Sequence, residues 1–392
     1  MGCNNLEFAC QKFGQRITRI TRMNGTPFVS FRVFRGHPLL RLFLAAFVVC
    51  HIARAGSIET FNGDIFTGKA ELDYGGVTFR PEKGPVVKMD LGNVYRVRFD
   101  DPAAPEQYTP GVVLRNGVRL AAPWGPFNDP VIKFPKRNLS LPADEIAWIV
   151  YTPFPAELAA NVPGGQTGVL LPKGDFFAGT IKGADAAAAK VFNPIFGPRT
   201  FAAEDIHALV LRDTHVPQAQ YEVRTSDGSL FAADYLLPER SGATIKHTLY
   251  DNLVLGAAEI VEIRAGPSRC RPVATLAVMH AEPADALHVL PDRGFTLAAK
   301  SVANCVVPAG FTEFFAKVAA DDSTPSGQRM VFSITADGKL IARSTALAAG
   351  DPAQNLRVTL TGTRNLLLRV DATADAPPDT RGHWIQAFFL RR

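Results

Sequence analysis

Regular alternation of apolar and polar residues near the C-terminus is the feature that most constrains the fold of this chain. A period of two is the spacing of a β-strand that buries one face. The alternating apolar positions are Met330, Phe332, Ile334, Leu356, Val358, Leu360, Leu366, Leu368, Val370, Trp384, Ala387 and Phe389. Asp337-Gly338 follows the first stretch and is typical of a tight hairpin turn. Half-apolar strands are most simply buried by two facing sheets, so this segment predicts a β-sandwich.

Short motifs follow one another through this segment in order. They are Phe314-Phe315-Ala316, Asp321-Asp322, Val331-Phe332-Ser333-Ile334, Asp337-Gly338-Lys339, Ser344, Gly362, Asn365-Leu366-Leu367-Leu368 and Trp384. Together they resemble the NPCBM family of carbohydrate-binding modules found beside glycoside hydrolases. The resemblance implies a galactose-binding-like jelly roll over residues 267–392, with a polysaccharide or other glycan as its partner. The chain departs from the family pattern at Ala298, where the family has histidine, and at His383 and Gln386, where it has acidic residues.

Five residues of this segment are candidate ligand contacts: Trp384, His383, Arg343, Lys339 and Asp322. Aromatic rings stack on sugar faces, but an aromatic residue in an alternating strand also fits the core, so Trp384 has two interpretations. The four polar side chains could exchange hydrogen bonds with sugar hydroxyl groups.

Asp321 and Asp322, followed by Ser323, are candidate ligands for a structural calcium ion, because hard cations prefer carboxylate and carbonyl oxygens. The alternative is a polar turn, which favours the same residue types without any ion. The sequence indicates no other cofactor. We predict no catalytic residues, because the nucleophile-elbow, zinc-protease, Walker and Rossmann patterns are missing from the chain.

His280, Glu282, Asp285 and His288 form the densest group of metal-binding side chains. Two imidazoles and two carboxylates suit zinc. The spacing of the histidines matches no helical i, i+4 pair, however, and Pro283 would break a helix there. We therefore favour a solvated linker between domains over a zinc site.

The region 56–266 has an internal period. Four turn dipeptides recur about 55 residues apart, a spacing that indicates repeated units. They are Asn62-Gly63, Asn116-Gly117, Lys173-Gly174 and Asp227-Gly228, and each is followed by a short segment in which apolar residues come after a polar or acidic one. We predict four β-rich units near residues 57–100, 111–155, 167–213 and 221–265, each similar to an SH3-like or Sm-like small barrel. The fold prediction is therefore all-β: tandem SH3-like barrels followed by a jelly-roll β-sandwich.

The N-terminal 55 residues predict a signal peptide. The apolar run Leu42–Cys50 follows Arg35 and Arg41, and Ala53-Arg54-Ala55 gives a small-residue cleavage site. The run is too short to span a bilayer, which needs about 20 residues. Met23 is an alternative start. We expect a secreted or periplasmic protein that is not an integral membrane protein.

Removal of this segment changes the charge argument. Residues 1–56 hold eight of the 42 Lys and Arg and one of the 37 Asp and Glu, which leaves 34 basic and 36 acidic residues and a net charge of −2. Nucleic acid is therefore not an expected partner. The remaining cysteines, Cys270 and Cys305, suit either a disulfide, as in many exported proteins, or two buried thiols.

Three functions remain open at this point. The first is an exported, non-catalytic protein that binds glycans through the sandwich and uses the repeats as a spacer or docking surface. The second is a structural or envelope protein whose sandwich contacts other envelope proteins. The third is a glycoside hydrolase, since paired carboxylates can meet from distant positions in the sequence.

Overall fold

The computed structural model describes residues 56–99, 107–121, 131–134, 137–215, 218–276, 279–290, 294–372, 376–377 and 380–391. The predicted signal peptide, residues 1–55, and the alternative start Met23 lie outside these residues. The described part of the chain is all-β, as predicted, with helical structure limited to short 3-10 turns. Within it, no helix has the length and apolar character needed to cross a membrane.

The four predicted units hold the following strands. In unit 1 (57–100) they are β1 Gly56–Thr60, β2 Ile65–Asp73, β3 Gly76–Pro81, β4 Val87–Asp90 and β5 Val94–Arg98. Around unit 2 (111–155) they are β6 Gln107–Tyr108, β7 Gly111–Leu114, β8 Arg119–Leu120, β9 Val131–Phe134, β10 Leu139–Pro142, β11 Ile146–Val150 and β12 Phe154–Pro155. In unit 3 (167–213) they are β13 Gly168–Leu170, β14 Phe176–Ala178, β15 Thr180–Ala184, β16 Ala188–Asn193, β17 Gly197–Ala202 and β18 Ala208–Val210. In unit 4 (221–265) they are β19 Tyr221–Thr225, β20 Leu230–Ala233, β21 Tyr235–Glu239, β22 Gly242–His247, β23 Tyr250–Gly256 and β24 Ile260–Ala265.

One pairing scheme recurs in every unit. The first strand pairs antiparallel with both the second and the last strand of the same unit, as β1 does with β2 and β5. The equivalent first strands β7, β13 and β19 do the same. In units 1 to 3 a 3-10 turn precedes the last strand: Leu91–Asn93, Ala143–Glu145 and Ala203–Asp205. The SH3-like character of the units stays a prediction.

The predicted turn dipeptides connect the first two strands of each unit. In unit 1 the Thr60 N–H donates to Asp64 O at 3.0 Å, and Gly63 N–H donates to Thr60 O at 3.0 Å. The same two bonds recur around the other three turns, and all four glycines have φ between 80° and 90°. This is the hairpin connection in which a left-handed glycine closes a type I turn.

Edge-to-edge pairing joins the units in the order 3-2-4-1. The last strands pair in two equivalent places, β11 with β18 and β24 with β5. The second strands β8 and β20 connect these two pairs of units into one 14-stranded sheet. A continuous apolar core runs through all four units. The units therefore stabilise one another by packing, as expected for repeats too small to bury a large core alone.

Charged residues cross the four strands β1, β5, β24 and β19. Cross-strand pairing aligns Glu59, Arg96, Arg264 and Glu222 in one row, and Arg98, Glu262 and Arg224 in the next row. The side chains of Glu59, Glu222, Glu262 and Arg264 are buried. Arg96 Nη2 lies 2.7 Å from Glu59 Oε2, Arg98 Nε lies 3.1 Å from Glu262 Oε2, and Arg264 pairs with Glu222. We call these seven residues the charged seam.

Units 2 and 3 carry apolar residues at the equivalent positions. There, β11 and β18 place Trp148 opposite Val210 and Val150 opposite Ala208. These side chains are buried together with Phe154, and the 3-10 turn Ala156–Asn161 packs against them. In units 2 and 3 this sheet face is thus covered by their own residues, Phe154 and the 3-10 turn. In units 1 and 4 the equivalent face is charged and is left for another part of the chain to cover.

The C-terminal region forms the predicted β-sandwich. Its strands are β25 Cys270–Pro272, β26 His280–Glu282, β27 Leu287–Val289, β28 Phe295–Ala298, β29 Ser301–Val306, β30 Glu313–Ala320, β31 Met330–Ala336, β32 Lys339–Arg343, β33 Gln354–Thr359, β34 Asn365–Ala372 and β35 Arg381–Leu390; the 3-10 turns are Val273–Thr275 and Ala284–Ala286. The first sheet has the order β27-β28-β35-β30-β33, with β25 paired to β35, and the second has the order β26-β29-β34-β31-β32. The alternating apolar residues of both sheets fill the space between them.

The outer face of the first sheet docks on units 1 and 4. Phe388 of β35 stacks on Tyr95, with ring centroids 5.1 Å apart, and Phe61 packs edge-on to both rings. Gln386 Nε2 donates to Glu59, so the sandwich reaches the charged seam. Two further bonds anchor the turn of unit 1 to β33: Arg357 Nη1 to Asn62 Oδ1 at 2.6 Å and Asn355 Nδ2 to Asn62 O at 2.9 Å. The sandwich is therefore seated on the repeats through packed rings and polar bonds.

A glycine pair tests this interface. Gly63 (φ 80°) and Gly338 (φ 85°) have similar left-handed backbones, but a Cβ at Gly63 would lie 2.6 Å from Phe315 Cζ, whereas a Cβ at Gly338 meets nothing within 4 Å. We expect Gly338→Ala to cost about 1 kcal/mol of unfolding free energy from backbone strain. Gly63→Ala should cost roughly 1–3 kcal/mol more, because it also overpacks the interface. Urea unfolding of both variants measures the difference, and equal losses would contradict the interface.

Candidate ligand-binding site

A polar group lies where β30 ends beside β35. His383 stands opposite Thr296 on one side and Ala319 on the other, and Asp321 directly follows β30. His383 Nε2 and Asp321 Oδ2 are hydrogen-bonded, and both side chains are about one-quarter exposed, at 27% and 26%. Because Trp384 points into the core, the alternation of the strand puts His383 on the outer face of the first sheet. The pair is therefore accessible to a ligand while remaining anchored.

The residues after β30 form the predicted polar turn. Asp321 Oδ1 accepts from the Ser323 N–H at 2.8 Å and from the Ser323 hydroxyl, and the Thr324 N–H donates to Asp321 O at 2.9 Å. Both carboxylate oxygens of Asp321 are thus occupied by protein donors, while Asp322 is exposed. In the described residues, no group of three or more His, Cys, Asp or Glu side chains could hold a metal ion. Calcium binding by Asp321 and Asp322 stays a prediction.

The environment of Asp321 favours its ionised form. The hydrogen bond from His383, followed by that from the Ser323 hydroxyl, lowers the pKa of Asp321 to about 2 against the opposing effect of burial. The carboxylate is therefore charged throughout the physiological pH range. It is a fixed acceptor that holds the imidazole ring in place.

The structure buries Trp384 completely. Its indole stacks on Phe295 with ring centroids 5.9 Å apart and meets Phe332 edge-on at 5.5 Å. A side chain enclosed between the two sheets cannot contact a ligand at the surface. The prediction of Trp384 as a ligand contact is therefore wrong, and the alternative interpretation as a core residue is correct.

Lys339 and Arg343 lie on a different surface from His383. Both are exposed on β32, the edge strand of the second sheet, whereas His383 belongs to the first sheet. Arg343 stands opposite Ser333, which in turn stands opposite Arg369. The structure thus brings His383, Asp321 and Asp322 into one region and places the two basic candidates in a second polar region.

The arrangement around Asp321 suits hydrogen bonding better than nucleophilic catalysis. A serine nucleophile requires a base that accepts its proton, with the carboxylate on the far side of that base. Here the Ser323 hydroxyl donates to Asp321, and the carboxylate lies between Ser323 and His383. The His383 ring and the carboxylate are suited to bonding with hydroxyl groups of a bound ligand.

The two cysteines are buried, and no disulfide joins them in the described structure. Cys270 packs with Phe315 and Phe388 on the outer side of the first sheet, whereas Cys305 lies in the core between the sheets. The first sheet thus separates them, so of the two alternatives the structure has two buried thiols rather than a disulfide. Burial raises the pKa of Cys305 to about 12.

The structure changes the interpretation of the His280 to His288 segment. His280 is in β26, which pairs with β29 in the second sheet, whereas His288 is in β27, which pairs with β28 in the first sheet. The segment is part of the sandwich, so the prediction of a solvated linker is wrong. The two histidines belong to opposite sheets, so the candidate zinc ligands His280 and His288 are also separated from each other.

Sequence reasoning missed the face that docks on the repeats. A signal was present, because Phe314-Phe315 and Phe388-Phe389 put large aromatic residues on both faces of their strands. Phe314 and Phe389 fill the core, and Phe315 and Phe388 fill the interface. Two consecutive aromatic residues in an alternating strand indicate that both faces are covered.

Comparison with known proteins supports the assignment of the sandwich. Residues 273–390 match the sequence model of the NPCBM family, described as the NPCBM/NEW2 domain. The resemblance predicted from the sequence is therefore confirmed for this part of the chain. A search of curated proteins found no match.

Solved structures that are similar to this chain include CBM51 modules. The module from Clostridium perfringens GH95, in complex with methyl-galactose, is 17% identical with a TM-score of 0.23, and the alignment covers 24% of this chain and 68% of that one. The tandem CBM51 modules of a family 98 glycoside hydrolase from Streptococcus pneumoniae SP3-BS71 are 14% identical with a TM-score of 0.27, covering 45% and 73%. The CBM51-2 and INT domains of Clostridium perfringens ZmpB are 11% identical with a TM-score of 0.27, covering 52% and 43%.

The depressed pKa of Asp321 predicts an acid-dependent contribution to stability. A carboxyl group with a folded pKa near 2 and an unfolded pKa near 3.9 stabilises the fold fully above the unfolded value, and loses this effect as the pH falls towards 2. We expect Asp321→Asn to lower the midpoint of thermal unfolding at pH 6, and the difference from the wild type to shrink between pH 4 and pH 2. Asp322→Asn removes the same charge from the adjacent, exposed residue and is the control. A difference that stays constant down to pH 2 would contradict the assignment.

Proposed function

We propose that this chain is an exported, non-catalytic protein that binds a glycan through its C-terminal sandwich, with the repeats as the scaffold that carries it. The observation that supports this function is the match of residues 273–390 to a carbohydrate-binding module family. Export is supported by the apolar run and small-residue cleavage site near the N-terminus.

His383 and Asp321 are the residues that we assign to glycan contact. Sugars present hydroxyl groups that both donate and accept, and an imidazole beside a charged carboxylate can serve both roles. The pair is held by Ser323 and by the strand pairing of β35, so little side-chain freedom is lost when a ligand binds. Asp322 is exposed in the same turn and adds a second carboxylate.

The mode of binding follows from the exposed side chains of the sandwich. Its described residues with large exposed apolar side chains are Val289, Val306 and Leu340, and none of these is aromatic. A stacking platform for sugar rings is therefore missing from the described surface of the sandwich. We propose that hydrogen bonds determine specificity and that a single sugar unit binds weakly, so affinity depends on several contacts along a chain.

The repeats lie close to the assigned site. His383 shares the outer face of the first sheet with Gln386, which contacts Glu59 of unit 1. A long glycan bound at His383 and lying along this sheet face could therefore reach the repeats at one of its ends. The seated sandwich gives the ligand a fixed orientation relative to the repeats.

A second candidate function is protein contact within the envelope. One observation favours it: the turn between β16 and β17 in unit 3 exposes Phe192, Ile195 and Phe196, with Ile195 84% exposed. The Asn193 side chain fixes this turn by accepting from the Ile195 and Phe196 N–H groups at 2.8 and 3.1 Å. An ordered apolar tip of this kind is typical of a protein-binding surface.

Binding of the full chain to a broad glycan panel that includes methyl-galactose tests the first function. We expect retention of at least one glycan, and we expect His383→Ala to weaken it at least ten-fold, about 1.4 kcal/mol, because a hydrogen bond to the ligand is lost. His280→Ala, an exposed histidine on β26 of the other sheet, is the matched control and should bind like the wild type. Isothermal calorimetry gives the affinities, and thermal unfolding confirms that both variants are folded.

Two results would reject the proposal. One is the absence of binding to every glycan of the panel by the folded wild-type chain. The other is equal affinity of the wild type and the His383→Ala variant, which would show that His383 on β35 is not part of the binding site.

A further inference from the structure

A cavity of about 560 Å³ lies where unit 1, unit 4 and the sandwich meet. This volume is within the range of small-molecule sites. The lining residues that matter are Phe61, Asn62, Asn93, Gln220, Arg269 and Arg391. They come from the β1–β2 turn, the 3-10 turn before β5, the residue before β19, and both ends of the sandwich. The cavity therefore depends on the docking of the sandwich on the repeats.

Arg269 is fixed in this cavity. Its Nη2 donates to Gly92 O at 2.5 Å and its Nη1 to Leu91 O at 3.4 Å. The guanidinium carbon lies 4.9 Å from the ring centroid of Tyr221 and 5.4 Å from that of Phe61. A guanidinium held by two aromatic rings and two carbonyl groups is already ordered before any ligand binds.

Arg391 is a second arginine among the residues that line the cavity. Its N–H donates to Arg269 O at 2.9 Å, which joins the two residues through the backbone. Its guanidinium donates to Ala309 O at 2.9 Å and lies 5.1 Å from the ring centroid of Phe311. Both arginines therefore bond to neutral carbonyl oxygens in the contacts that the structure describes.

The cavity carries positive charge without a compensating acid. No Asp or Glu is among the described residues that line it. In the described part of the chain, no ion pair connects Arg269 or Arg391 to a carboxylate. Guanidinium groups bind carboxylates through paired N–H donors, so the site favours an anionic ligand. The surrounding amides of Asn62, Asn93 and Gln220 supply donors and acceptors for hydroxyl groups.

We propose that this cavity is a second binding site, separate from His383, that takes a carboxylate-bearing saccharide. The Arg269 guanidinium would bind the carboxylate, the charge of Arg391 would add to the attraction, and the three amides would bind ring hydroxyl groups. The saccharide part of the proposal rests on the proposed glycan-binding function, whereas the preference for an anion rests on the cavity itself. The site would let the sandwich and the repeats hold one acidic glycan together.

Binding of a uronic-acid oligosaccharide and of its neutral hexose counterpart to the full chain tests this site. Asn93→Asp adds a negative charge to the exposed wall of the cavity, and Arg391→Gln removes one positive charge. We expect each variant to weaken binding of the acidic oligosaccharide at least ten-fold. Asn304→Asp adds the same charge on the exposed outer face of the second sheet and should bind like the wild type. Thermal unfolding checks that the variants are folded.

The outcomes separate this inference from the proposed function. Acidic oligosaccharide binding that survives both cavity variants unchanged would overturn the second site and leave the His383 site in place. Equal weakening by Asn304→Asp would also overturn it, because the effect would then be general repulsion. Inorganic sulfate that binds the wild type as tightly as the acidic oligosaccharide, and that both cavity variants weaken equally, would overturn the saccharide part of the second site and leave the His383 site in place. Loss of the acidic ligand alone in the cavity variants, with the neutral glycan retained, would support both.

Discussion

The charged seam between units 1 and 4 determines how the repeats assemble and where the sandwich docks. Its carboxylates and Arg264 are buried in a sheet, so each must keep its partner. Burial alone would raise the pKa of Glu262, but the positive charges of Arg264, Arg224 and Arg96 outweigh it and lower the pKa. Buried ion pairs add little net stability compared with apolar packing, but an unpaired buried charge is costly. The seam therefore disfavours any arrangement in which the last strand of unit 1 or unit 4 pairs with the apolar last strand of unit 2 or unit 3.

This constraint connects the scaffold to the proposed function. Pairing of units 1 and 4 creates the face on which the sandwich sits, through Phe388 on Tyr95 and Gln386 on Glu59. The same strand, β35, carries His383 three positions before Gln386. One sheet face thus serves both for docking and for the proposed glycan contact. The cavity with Arg269 lies at the edge of this interface and exists only in the docked state.

Local patterns in the sequence predicted much of the fold. The alternation from Met330 onwards gave the strands of the sandwich, and Asp337-Gly338 forms the expected turn, with φ of 45° and 85°. The NPCBM resemblance located the domain, because its motifs follow the strand order. The period of the turn dipeptides indicated the repeated pairing scheme. These features depend on residues that are close in the chain.

Features that depend on distant residues were not predictable in the same way. The sequence allowed Trp384 either in the core or at the surface. Alternation assigns residues to the two faces of a strand, but it does not say which face packs against the other sheet. The separation of Cys270 from Cys305, and of His280 from His288, depends on which sheet each strand joins. The order 3-2-4-1 follows from charge and shape at strands β5, β11, β18 and β24, which no local pattern encodes.

Hydrogen exchange measured by mass spectrometry on the full chain tests whether the sandwich and the repeats form one docked unit that presents the site. We expect the amides of β24 and β35 to exchange with similar protection, and we expect Phe388→Ala to accelerate exchange in both strands at once. Exchange of β24 that stays slow while β35 alone becomes fast would contradict docking through this face.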